Sequence, residues 1–333
     1  MGATGTGKSS FIHSLTNNKN IVVGHTLNSE TSDIKCARYF VPNSSACVTF
    51  IDTPGFDDSR GHAAGMGDTD ILRKIATFLK VEYEQKQKLA GVIYMHRIND
   101  TRMSNSSQRN LRMFRNLCGS ESMKNVVIVT TMWDSAPRKQ AEMHEAELRT
   151  KCGFFKDLID DGAQLVRSGQ YCEGEGFLPP SQIVSDILLR SQPVFTQIQN
   201  EMAQGKELDC TSAGEQLDTD LRKMKQHFEM EMKKLQEETE EAIKDRDSRA
   251  VRELEEEKTK NRLEVEKLDK QLRALQEGLR VSKADMQKII LEEQQERGRQ
   301  RAESGEDDGD FFAGALVGAT GVYFMTNALS SFV

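Results

Sequence analysis

The chain has 333 residues and a net charge of −7, with 29% charged and 37% hydrophobic residues. At roughly 100–200 residues per domain, that length predicts about two structural units, and a hydrophobic share below the usual ~45–50% says that something long and polar dilutes an ordinary core. The acidic balance argues against nucleic acid as a partner, and six scattered cysteines without a CxxC pair argue against a disulfide scaffold or zinc site and fit a reducing, cytoplasmic setting.

The first eight residues after Met1 carry the strongest local signal. Gly2-Ala3-Thr4-Gly5-Thr6-Gly7-Lys8-Ser9 matches GxxxxGK[ST] without a gap. Glycines let the backbone curl into a nest of N–H groups that converge on phosphate oxygens. The helix that follows, expected over residues 8–15, turns its N-terminal dipole toward the same anion. Gly2 through Ser10 form the expected phosphate cradle. Lys8 is expected to reach the β- and γ-phosphates as the catalytic cation, and Ser9 to ligate Mg²⁺. The motif ordinarily follows a buried strand, and only Met1 precedes Gly2. The expectation is a sheet with its first strand missing, Met1 being an internal methionine of a longer natural chain, and neighbouring strands left without ladder partners.

The polar segment after residue 15 contains Thr26, Ser29, Thr31 and Ser32. A switch loop needs a threonine that reaches Mg²⁺ and the γ-phosphate and lets go after hydrolysis; Thr31 is the candidate, with Thr26 as the alternative. Strands follow over 36–41 and 47–51. The second ends in Asp52-Thr53-Pro54-Gly55, which places a carboxylate opposite the phosphate loop for Mg²⁺ and offers the Gly55 N–H to the γ-phosphate.

A helix is expected over 70–87, a strand over 91–96, a helix over 106–117 and a strand over 126–130. That strand runs into Thr131-Met132-Trp133-Asp134, where a guanine-reading [NT]KxD box belongs. Thr131 and Asp134 are the base-reading candidates, with Met132 in place of the usual lysine; the competing reading makes Asp134 the N-cap of the next helix, 139–152. A weaker strand at 163–166 and one helix over 181–202 complete the unit. Alternating strands and helices imply an α/β fold with a mostly parallel sheet and flanking helices.

All six prolines lie before residue 194, and aromatics are nearly absent from there to residue 310. Long helix is the natural reading. From Val251 to Ile289 a seven-residue apolar repeat predicts a coiled coil, within or between chains, with Lys258 and Asn261 as a polar layer. The upstream positions Leu217, Leu221, Met224, Phe228 and Leu235 hold helical spacing in another phase, and charged residues 244–249 bridge the shift. Residues 303–310 read as an acidic linker. Residues 311–333 form a 23-residue charge-free run that includes Gly314 and Gly318 in GxxxG spacing, long enough for a membrane-anchoring apolar helix. The organisation is therefore a unit over 1–203, an arm over 214–302, the linker and the apolar segment. The corresponding location is the cytoplasm, on the cytosolic face of a membrane.

Taken together, GATGTGKSSFIHSL, DTPGFDD and the strand ending TTMWD resemble the septin-like branch of translation-factor-class GTPases, above all the avirulence-induced, immunity-associated G-domain proteins of the fungal type. The resemblance covers roughly 1–200. It implies a P-loop NTPase G domain that binds GTP/GDP with Mg²⁺, acts as a slow GTPase switch or assembly module, and forms a homodimer through its nucleotide face or its coiled coil. Two departures stand out: Met132 replaces the base-box lysine, and Phe56 follows Gly55 where many small GTPases carry a glutamine. Slow intrinsic hydrolysis, or catalysis completed by a dimer partner or another protein, is the expectation; Arg97 or His96 could be supplied in trans, though surface charge on a loop is the preferred reading of both. Two other readings stay open: an ATP-binding P-loop NTPase, and a coiled-coil scaffold with a defective nucleotide site.

Overall fold

A computed structural model describes residues 1–16, 34–42, 44, 46–55, 67–100, 103–169, 176–190 and 192–279. Thr26, Thr31, Phe56, the end of the heptad pattern, the acidic linker and the apolar segment 311–333 lie outside the described residues. Among the described residues no helix is long and apolar enough to cross a membrane.

The elements run in chain order as α1 (Lys8–Thr16), β1 (Lys35–Phe40), β2 (Cys47–Asp52), α2 (Asp68–Glu84), β3 (Val92–Arg97), α3 (Asn105–Cys118), β4 (Val126–Thr131), α4 (Arg138–Thr150), α5 (Lys156–Asp160), β5 (Gln164–Ser168), β6 (Phe177–Leu178), α6 (Pro180–Arg190), α7 (Gln197–Ala203), α8 (Ser212–Lys244) and α9 (Ser248–Gln276). Strands β3, β4, β5 and β6 pair in that order, all parallel, with helices packed around them. This is the G-domain P-loop fold. Its central strand, β4, is Val-Val-Ile-Val-Thr-Thr, with all but the last residue buried, as a parallel strand covered on both faces must be.

Strands β1 and β2 form a separate antiparallel ribbon, so the described sheet is in two pieces. β2 and β3 are not paired with each other. On the side of β3 away from β4, among the described residues, the segment Met1–Gly2 meets it through one parallel bridge between Gly2 and Met95. Met95 N–H donates to the Met1 carbonyl at 2.9 Å. The Met1 ammonium donates to the Ile93 carbonyl at 2.6 Å.

Capping explains several helix limits. Ser104 accepts from Ser107 N–H at 3.0 Å to open α3, and Gly119, at φ 78°, closes it. The single helix expected over 181–202 is two, α6 and α7. Pro193 lies between them; it has no N–H to donate and disfavours helical geometry at the residue before it. Thr196 and Gln199 then start α7 with a reciprocal capping box.

The arm folds back. The charged junction anticipated over 244–249 contains a tight turn, with Arg246 at φ 56° and the Asp247 carboxylate accepting from Arg249 and Ala250 N–H groups. α8 and α9 therefore lie against each other as a helical hairpin. The buried face of α9 is Asn261, Leu268, Leu272 and Leu275, all at core positions of the heptad pattern. Asn261 in the polar layer donates to Glu231 at 3.5 Å, and Lys225 bridges to Asp269 at 2.6 Å.

The hairpin packs into the core of the sheet-bearing unit. Leu217 and Leu221 of α8 and Leu268, Leu272 and Leu275 of α9 share one apolar cluster with Ile71, Leu72, Ile75, Leu111 and Phe114 of α2 and α3. Arg112–Asp220, at 3.0 Å, and the Arg73 guanidinium on the Ala274 carbonyl tie the surfaces together. The change of composition near residue 203 is thus not a boundary between cores.

Candidate functional site

The phosphate loop lies at the C-terminal ends of β3 and β4, where ligands sit in open parallel sheets. Gly5 and Gly7 take φ 78° and 87°, values that residues with a side chain rarely adopt. Thr6 is fully buried, and its hydroxyl donates to the Ala3 carbonyl at 2.9 Å. Lys8 Nζ reaches back over the loop to the Gly2 and Ala3 carbonyls, at 3.1 and 2.8 Å. Its charge is therefore held over the loop, while Ser10 sits exposed on α1.

Two motifs 43 positions apart in sequence meet here. The Ser9 hydroxyl donates to Asp52 Oδ2 at 2.7 Å. Asp52 is buried, and its other carboxylate oxygen, Oδ1, has no hydrogen-bond partner; neither do the buried hydroxyls of Thr4 and Thr53. Buried polar atoms ordinarily find partners, so this cluster of orphans around the loop marks a place where a ligand supplies them. A hydroxyl beside a carboxylate with a spare oxygen is a hard donor set that suits Mg²⁺.

Gly55 packs directly on the loop. A Cβ at this position would fall 2.8 Å from both the backbone N and Cα of Thr4, so no side chain fits. The turn after Asp52 thus holds its main chain against the phosphate loop.

On the base side, Thr131 turns inward. Its hydroxyl faces the Thr6 and His96 carbonyls, at 3.1 and 3.3 Å, and so braces the phosphate loop against the sheet. Met132 adopts the left-handed conformation (φ 60°, ψ 36°), is partly exposed, and turns the chain out of β4. A non-glycine residue held there costs about 1–3 kcal/mol and is characteristic of functional sites. Asp134 follows, exposed, in a short 3₁₀ turn. The N-cap of α4 is Pro137, so the capping role weighed for Asp134 does not hold. Trp133 anchors the turn: its indole N–H donates to the Thr130 hydroxyl at 3.1 Å, and the Arg167 guanidinium lies 4.6 Å from its ring centre.

His96 and Arg97 part ways. His96 is buried edge-on against Phe155, ring centres 5.3 Å apart, and burial lowers its pKa from 6.5 to about 4. A neutral, buried imidazole cannot be lent to another molecule, which removes His96 as a donor in trans. Arg97 instead aims back at this chain's own loop. Its Nη1 lies 3.3 Å from where a Gly5 Cβ would be, and Asp100 holds the guanidinium at 3.0 Å.

Sequence reasoning also missed the rim at the end of β5. Thr130 pairs with Arg167, so Ser168 and Gly169 fall in the row beside the base-side turn. The available signal was a Ser-Gly pair directly after a strand.

A GxxxxGKS loop opening a helix, a buried aspartate against its serine and a DTPG turn seated on the loop define a P-loop protein of the G-domain class. Residues 1–131 match the family described as MMR_HSR1, 50S ribosome-binding GTPase, which supports a GTP-binding G domain. No curated protein matches the sequence. Among solved structures, the chain is similar to Toc33 from Arabidopsis thaliana in complex with GDP and Mg²⁺, at 18% identity and a TM-score of 0.44, covering 59% of this chain and 85% of that one. The same protein with Mg²⁺ and GMPPNP gives a TM-score of 0.43 at 18% identity, covering 58% and 85%.

Proposed function

We propose that this protein is a guanine-nucleotide switch with slow intrinsic GTP hydrolysis, and that nucleotide state is communicated to its helical hairpin. The observation that carries the reading is the Ser9–Asp52 contact with the unpartnered Asp52 Oδ1 beside it. Gly2 through Ser10 cradle the phosphates, Ser9 and Asp52 hold Mg²⁺, and Lys8 leaves the loop carbonyls for the β- and γ-phosphates. The metal supplies charge neutralisation between the phosphates when bound. Gly55 reports the γ-phosphate through its N–H. Asp134 reads the guanine edge, Met132 lends an apolar surface to the base, and Thr131 acts on the site through the loop it braces. Thr31 remains the proposed switch threonine.

The route to the hairpin starts at Gly55. The chain re-enters the described structure at Gly67, the N-cap of α2, which packs against Gln271 of α9. In this reading the nucleotide state reaches the hairpin through α2, whose first turn meets α9 at Gly67 and Gln271. The fungal immunity-type subfamily, assembly into a homodimer and a membrane-bound location on the cytosolic face belong to the same proposal, resting on the motifs and the charge-free segment 311–333. Met132 in the base box keeps an ATP-binding reading as the rival. Competition between labelled GTP and ATP, repeated with Lys8→Ala, decides. GTP preference abolished by the substitution supports the switch; ATP preference overturns it in favour of the rival, and no binding of either favours the scaffold.

A further inference from the structure

Met132 and Asp134 lie at the surface of the turn after β4, and Trp133 between them is 5% exposed. A left-handed conformation at a residue such as Met132 persists only where the surroundings over-determine it. Those surroundings are centred on Trp133. Its indole N–H donates to the Thr130 hydroxyl, which in turn donates to the Val166 carbonyl of β5 at 3.1 Å. The ring meets Phe177 of β6 edge to face, with centres 5.3 Å apart and planes at 90°. Two guanidinium groups pack on the pair: Arg167 lies 4.6 Å from the Trp133 centre and Arg138 4.9 Å from that of Phe177.

The two arginines are held differently. Thr130 and Arg167 are register partners in the parallel ladder, so Arg167 starts beside the hydroxyl that takes the indole N–H. Its guanidinium forks onto Glu145 of α4: Nε donates to the two carboxylate oxygens at 3.0 and 3.1 Å, and Nη2 donates to Oε2 as well. Glu145 is buried. A planar fork on a buried carboxylate has little freedom, and it presents a flat face that an ammonium lacks. Arg138 bonds instead to Glu142, an exposed residue one turn along α4, at 2.7 Å. Arg167 is therefore the clamp on Trp133, set from β5 and fixed from α4.

We infer that Arg167 is a positioning residue for base recognition: forked on Glu145 and packed on Trp133, it fixes the turn that aims the Asp134 carboxylate. The inference rests on the reading of Asp134 as the residue that meets the guanine edge. Guanine offers that carboxylate two donors, N1–H and the exocyclic amine, and both bonds form only when the carboxylate lies in the plane of the base. A small rotation of the turn keeps one bond and loses the other. With Met132 where a lysine is usual, residues 132–135 carry no cation of their own, and the turn takes its rigidity from behind.

The test uses the full chain, two variants and the single tryptophan that the chain contains. Arg167→Lys keeps a cation for Glu145 but loses the flat fork. Arg167→Met combined with Glu145→Gln removes both charges together, so neither is left buried alone. Without nucleotide, acrylamide quenching of Trp133 emission is expected to rise in both variants. With nucleotide, GTP is compared with inosine triphosphate, which lacks the exocyclic amine, by displacement of labelled GTP. The parent is expected to prefer GTP by roughly tenfold or more, the worth of one hydrogen bond to a charged group. Both variants are expected to lose most of that ratio while binding inosine triphosphate as the parent does. General loosening of the fold would weaken both nucleotides alike. A ratio unchanged in either variant therefore overturns the inference, as does unchanged quenching. Equal affinities in the parent, or no binding of either nucleotide, overturn the guanine reading and the inference with it; failure of the inference alone appears only in the variants.

Discussion

Ser9 Oγ and Asp52 Oδ2 lie 2.7 Å apart, and the contact joins the helix after the phosphate loop to the end of β2. Asp52 Oδ1 is unpartnered, and the proposed Mg²⁺ site would use it together with the Ser9 hydroxyl. Asp52→Asn keeps an acceptor for Ser9 but removes the charge. Fluorescent GTP titrated in Mg²⁺ should bind the variant roughly ten- to a hundredfold more weakly, the range seen when a metal site loses a supporting group. In EDTA the two proteins should bind alike. A loss of equal size in EDTA would show that Asp52 shapes the loop rather than the metal site.

Gly55→Ala should be costly for a steric reason. The added methyl would sit 2.8 Å from Thr4 N and Cα, which are backbone atoms and cannot swing aside. Overpacking of this kind costs about 1–3 kcal/mol. Urea unfolding should show that loss, and nucleotide affinity should fall with it because the phosphate loop must move to make room. Unchanged stability would mean the turn lies away from the loop in solution.

The hairpin shares its core with α2 and α3, so it should not melt separately. Leu272→Ala removes a side chain that is 7% exposed within that core. It should lower unfolding free energy by about 2–5 kcal/mol and shift one cooperative transition. Leu263, 49% exposed on the same helix, serves as control, and its alanine variant should stay within about 0.5 kcal/mol. A separate early transition for α8 and α9 would refute the shared core.

His96 gives a pH signature. Its folded pKa is depressed to about 4 from 6.5, chiefly by burial, with Arg97 in the same direction and Asp100 opposing. Between those values the unfolded chain binds a proton that the native imidazole does not, so stability rises with pH across the window and falls on acidification from 6.5 toward 4. The contribution is on the order of 3 kcal/mol at full span, at about 1.4 kcal/mol per pKa unit. Stability profiles of the parent and His96→Gln should diverge in that window and run parallel above pH 7. Parallel profiles throughout would mean the imidazole is solvated.

Local pattern by itself determined the phosphate loop, the DTPG turn, the strands leading into Asp52 and Thr131, the alternation of strand and helix, and the heptad face of α9. These depend on residue type and spacing, which a linear chain displays directly. Only the tertiary structure decided that Ser9 meets Asp52, that Thr131 braces Thr6, that His96 faces inward to Phe155 while Arg97 lies over Gly5, and that the arm doubles back onto α2 and α3. An apolar stripe on a helix states that it needs a partner but not which one, since the hydrophobic effect has no direction. The choice is made when distant segments close on each other, and α8, α9, α2 and α3 bury their stripes together because that single arrangement removes all four from water.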